Sequence, residues 1–77
     1  VAESSTLDLR GLRCPLPVLK LRRALRGLAA GATLAVLTDD PLAVLDVPNF
    51  LRESGDELLS SEPDGRGRRF IVRRAAV

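Results

Sequence analysis

A single thiol is available for chemistry in this chain, and its surroundings are unusual. Cys14 lies in the run Leu9-Arg10-Gly11-Leu12-Arg13-Cys14-Pro15-Leu16-Pro17, behind an arginine and ahead of two prolines one residue apart. The chain has no histidine, so the Cys-His chemistry of a protease or acyltransferase lacks its general base. With no second cysteine there is no Cys-X-X-Cys couple, no resolving thiol and no internal disulfide. One thiol without histidine also cannot build a structural zinc site. What remains is attack on a sulfur already activated elsewhere, which leaves a persulfide, a reversible cap on cysteine. Two other readings stay open: a small buried hydrophobe, and a redox sensor that signals through a mixed disulfide.

The second consideration is where the thiol sits. Cys14 falls between a strand-like run and a helix-like run, at the cap position of the helix. A helix N-terminus carries roughly half a positive charge together with free N–H groups, and both favour thiolate over thiol. Arg10 and Arg13 add positive charge nearby. Pro15 and Pro17 remove two donors, which leaves the amides of Leu16 and Val18 and predicts a moderate fall in thiol pKa. The prolines also preset φ to the helical value, so Arg13, Pro15 and Pro17 form a supporting turn that holds the sulfur at one angle.

The elements that would position this turn can be read along the chain. Thr6 to Arg10 alternates polar and apolar residues, the period of a half-buried strand, and Gly11 breaks it. Val18, Leu21, Leu25 and Leu28 follow helical spacing and predict a helix from about Pro15 to Leu28, with Gly31 beyond its end. Ala32 to Thr38 reads as a central strand. Asp40 is then expected as the cap of a second helix with Pro41 at its first position. Pro48 lies inside that helix and predicts a kink, or a restart at Asp46-Val47-Pro48. Glu57 to Glu62, the turn residues Pro63-Asp64-Gly65, and Arg68 to Arg74 complete a hairpin. The order βαβαββ, with a parallel first crossover, predicts a two-layer α/β (α+β) sandwich: a four-stranded mixed sheet with two helices on one face.

Composition sets the remaining bounds. At 77 residues there is room for a single domain, residues 1–77 with an ordered core of about 6–74, and none for a deep substrate cavity. Eleven arginines and one lysine face ten acids, too balanced for a general nucleic-acid coat. The longest apolar stretch, Leu28 to Leu37, is too short to span a bilayer. Val1 to Thr6 has neither a charged leader nor an apolar signal core, so the expected location is cytoplasmic. No cofactor is implied.

Several residues could serve a partner surface, Arg10 beside the thiol among them. Arg22, Arg23 and Arg26 lie on the first helix behind the thiol, where they are either a solvated face or a grip for an acidic partner. Asp39 and Asp40 could shape such a surface, although a capping role is the simpler reading. Arg66, Arg68, Arg69, Arg73 and Arg74 could make the hairpin an RNA-binding or regulatory module. The simpler reading is charge on an edge strand that prevents sheet-to-sheet pairing. Phe50 and Phe70 are the only aromatic residues, too few for a base-stacking platform, and Phe50 is read as core.

The ordered set of motifs resembles the TusA/SirA family of small sulfur carriers, whose signature is Cys-Pro-X-Pro after a first strand. Here the similarity runs from Cys14-Pro15-Leu16-Pro17 through Asp39-Asp40-Pro41 and Asp46-Val47-Pro48-Asn49-Phe50 to Gly55-Asp56-Glu57-Leu58, about Leu7 to Arg73. The resemblance implies a two-layer fold and a catalytic Cys14. That cysteine would take persulfide sulfur from a cysteine desulfurase and pass it to a downstream acceptor in a sulfur relay, without independent turnover. In the best-known branch the sulfur reaches 2-thiouridine of transfer RNA; other branches resemble feeders of molybdenum-cofactor or sulfur-oxidation pathways. Leu16 stands where that branch often has an acid. Leu51 follows Phe50 where some members carry another cysteine, so Cys14 is the only possible carrier.

Overall fold

The computed structural model describes residues 5–75; the expectations for residues 1–4 and 76–77 lie outside them. In chain order the elements are β1 (Ser5–Asp8), α1 (Leu16–Arg26), β2 (Thr33–Thr38), α2 (Ala43–Ser54), β3 (Glu57–Asp64) and β4 (Gly67–Arg73). The sheet runs β1-β2-β4-β3, with β1 parallel to β2 and the other pairs antiparallel. This is the expected mixed sheet and element order.

The two-residue period decides which face each strand buries. Leu7 lies beside Val36, Val36 opposite Phe70, and Leu34 opposite Val72, so these side chains share one face. They form a single apolar cluster with Leu21 and Leu25 of α1 and with Val47, Phe50 and Leu51 of α2. Both helices therefore cover that same face. At about 25 cal/mol per Å² of apolar area removed from water, this one layer of contact is the main stabilising term of a chain with no disulfide. Leu9 extends the pairing past β1, its N–H donating to the Leu37 carbonyl at 2.7 Å.

Three expectations change. The second helix does not begin at an Asp40 cap. Asp40, Pro41 and Leu42 form a turn closed by the Ala43 N–H on the Asp40 carbonyl, 2.9 Å, and the helix starts at Ala43. Nor does Pro48 break it: α2 runs unbroken to Ser54. The carbonyl that Pro48 cannot serve belongs to Val44, on the exposed side of the helix, where water can satisfy it. Finally, the arginine-rich β4 is not an edge strand; it lies between β2 and β3. The edges are β1 and β3; β3 includes Pro63, a residue an edge strand tolerates because it needs no donor on the open side.

Candidate functional site

Parallel pairing of β1 and β2 sends both following loops to the same end of the sheet. There the β1–α1 loop, carrying Cys14, meets the β2–α2 loop, carrying Asp39 and Asp40. Gly11 takes φ +88°, a conformation that glycine alone adopts cheaply. Its N–H donates to Asp39 Oδ1 at 2.9 Å, and Arg13 Nη1 donates to the same oxygen at 2.9 Å. The Cys14 N–H donates to Asp40 Oδ2 at 2.8 Å, and the Leu42 N–H to Asp40 Oδ1 at 3.1 Å. Asp40 is only 5 % exposed, so both its oxygens are spent on backbone donors. Asp39 and Asp40 thus tie down the cysteine loop.

Cys14 itself is exposed. It precedes the cap, which is Pro15, and so lies one position before the expected place. The Leu16 N–H, expected to be free for the sulfur, donates to the Arg13 carbonyl at 2.8 Å. Cys14, Pro15, Val18 and Arg22 form one side of a groove of about 250 Å³; Asp46, Asn49, Phe50 and Glu53 of α2 form the other. Phe50, 9 % exposed, belongs to both core and groove, and the Arg22 guanidinium lies 5.7 Å from its ring centroid, within cation–π range.

The electrostatics reverse the predicted sign. The thiol can donate to the Asp46 carboxylate, and with desolvation and the charges of Asp46 and Asp40 this pushes the Cys14 pKa up from its ordinary value. A thiolate beside two carboxylates is disfavoured, which outweighs the end of one helix. The two arginines expected to oppose this are already engaged. Arg10 pairs with Asp8 at 2.8 Å and holds that carboxyl at about 2. Arg13 pairs with Asp39, whose carboxyl is lowered by the Gly11 N–H and by Arg13.

The other expected site residues are divided. Arg22 lines the groove; Arg26 lines an adjoining hollow of about 390 Å³ together with Arg22, Phe50, Glu53 and Arg74; Arg23 is exposed and lines neither. Asp46, Asn49 and Glu53 were not singled out as site residues. Their signal was spacing: with Phe50 they repeat at i, i+3, i+4 and i+7 along one face of α2. In the hairpin, Arg68 donates to Ser61 Oγ at 3.1 Å, Arg73 pairs with Glu57, and Arg74 donates to the carbonyls of Leu25 and Leu28. Three of the five hairpin arginines are thus engaged within the protein, which weakens the RNA reading. Among the described residues no cluster could hold a metal ion, and no helix is long and apolar enough to cross a membrane.

A two-layer α/β domain with one accessible thiol, set at a loop–helix junction over a groove too shallow to enclose a substrate, has the form of a small thiol carrier. Residues 5–74 match the family model for sulfurtransferase TusA, and the chain belongs to that family. A SirA-like protein from Desulfitobacterium hafniense has a similar structure, with a TM-score of 0.74 and 27 % identity, over 92 % of this chain and 97 % of that one.

Proposed function

We propose that the protein is a sulfur carrier of the cytoplasm that holds sulfur as a persulfide on Cys14. The donor is a cysteine desulfurase. The receiver is a relay protein of the kind that feeds 2-thiouridine formation in transfer RNA or molybdenum-cofactor synthesis. One observation carries the reading: the chain's only thiol is exposed at the rim of an open groove, with no histidine, metal cluster or second thiol among the described residues to complete another reaction.

In the loading step the Cys14 sulfur attacks the outer sulfur of the donor persulfide. The new bond joins Cys14 Sγ to that sulfur, the donor's S–S bond breaks, and the donor cysteine leaves as thiolate and takes the proton from Cys14. No outside oxidant or reductant is needed. Unloading is the same exchange, with an acceptor thiol as nucleophile. Because the groove acids favour the protonated thiol, the free carrier reacts slowly, and attack begins where a partner accepts the proton or neutralises Asp46.

The test is to incubate the protein with a cysteine desulfurase and cysteine, then record intact mass with and without reductant. A gain of one sulfur atom, reversed by reductant and absent in Cys14→Ser, is expected. A Cys14→Ser variant that gains sulfur as the parent does, or a parent that gains none, would overturn the proposal.

A further inference from the structure

Asp39 and Asp40, in the β2–α2 loop, are joined to the cysteine loop by hydrogen bonds that reach across the fold. Of the two, Asp40 is the more deeply placed. It sits 5 % exposed at the end of β2, and its two oxygens point in different directions. Oδ2 receives the backbone N–H of Cys14 at 2.8 Å, and Oδ1 receives the N–H of Leu42 at 3.1 Å. Asp39 ties down the same loop three residues and one residue earlier, at Gly11 and Arg13. A carboxylate taken out of water is retained only where its lone pairs are filled, and the donor filling one of them is the amide of the reactive residue itself.

We infer that Asp40 is a positioning residue for sulfur transfer: its carboxylate clamps the backbone of Cys14 to the turn that begins α2, and so fixes the sulfur over the groove facing Asp46. The clamp acts in two ways. It sets the distance between the β1–α1 loop and α2, the two walls whose separation defines the groove. It also occupies the Cys14 N–H, so that this donor cannot turn toward the sulfur and stabilise a negative charge there. The charged groups around the thiol are Asp40 from the β2–α2 turn, Asp46 and Glu53 from α2, and Arg22 from α1. Arg13, next in the chain, is held by Asp39.

This inference rests on the carrier reading for its consequence, but the clamp itself can be tested without it. Asp40→Asn keeps one oxygen for the Leu42 N–H and turns an amide NH2 toward the Cys14 N–H, so the bond to Cys14 is lost while the turn is kept. The expected result is a Cys14 alkylation rate by iodoacetamide at pH 7.5 that rises roughly threefold, a rate–pH profile moved to lower pH, and severalfold slower sulfur loading from the desulfurase. The unmodified protein gives a reading that does not depend on the variant's folding: the Cys14 amide exchanges with deuterium more slowly than the Arg13 amide, which has no acceptor among the described residues. A Cys14 amide that exchanges like an unstructured peptide, or an Asp40→Asn protein whose rate–pH profile and loading match the parent, would overturn the inference. If the parent takes up no sulfur, the carrier reading fails, and the amide exchange still decides the clamp.

Discussion

Gly67, the first residue of β4, provides the sharpest test of the packing argument. An added Cβ there would lie 1.8 Å from the Thr38 carbonyl oxygen, 2.8 Å from the Thr38 carbonyl carbon and 2.9 Å from the Asp39 Cα. Nonbonded contact needs roughly 3.5 Å, so the backbones must separate by about 1.7 Å, and backbone cannot rotate aside as a flexible side chain can. The separation opens the Thr38–Arg68 and Asp64–Gly67 pairings. Overpacking of this kind costs about 1–3 kcal/mol, and each lost backbone hydrogen bond adds about 0.5–1.5 kcal/mol. Gly67→Ala is therefore expected to cost about 2–4 kcal/mol. A domain of this size holds only about 4–12 kcal/mol in total, and each kcal/mol moves Tm by about 4–8 °C. The melt followed by circular dichroism should fall by at least about 8 °C. Gly27→Ala is the control: its Cβ would meet only the Ala24 carbonyl oxygen at 3.6 Å, an ordinary contact, and Tm should stay within about 3 °C. A Gly67→Ala protein melting within about 3 °C of the parent would refute the reasoning.

Two further outcomes can be checked directly. Asp46→Asn removes the largest influence holding the Cys14 thiol protonated, so iodoacetamide should label this variant faster than the parent near neutral pH, with the rate–pH midpoint moved down; coincident profiles would contradict the electrostatic account. Arg74→Ala removes the donors to the carbonyls of Leu25 and Leu28 at the end of α1; about 1–2 kcal/mol should be lost, with faster amide exchange confined to the last turn of that helix and its exit.

β1 and α1 were legible because their own residues state a period: Thr6 to Arg10 alternates, and Val18, Leu21, Leu25 and Leu28 recur on one helical face. β2 was legible as a continuous apolar run, and α2 and the hairpin from the start and turn residues around Pro41 and Gly65. Cys14 was legible by elimination, since no other residue could be a soft nucleophile. The misplaced features share one cause, contacts between residues remote in the chain. Asp40 carries every local mark of a helix cap, yet one of its oxygens is drawn to an amide on the preceding crossover. Summed along the chain, the charge near the thiol is positive, from Arg10 and Arg13. Summed in space it is negative, because Asp8 and Asp39 neutralise those arginines and Asp46 arrives from another helix. The hairpin arginines were assigned to an edge because chain order says nothing about which neighbour a final strand joins, and β4 joins β2.

That placement of β4 also bears on how the protein can be made. β4, the last strand of the domain in chain order, sits inside the sheet and supplies Phe70 and Val72 to the core. While a ribosome is still adding residues up to about the seventieth, β2 and β3 have no strand between them and the two helices have only part of a floor. A partly made chain therefore cannot reach its folded form in stages. Its apolar surface stays open until β4 has been made and is free to pair with both neighbours, and the unit then closes together.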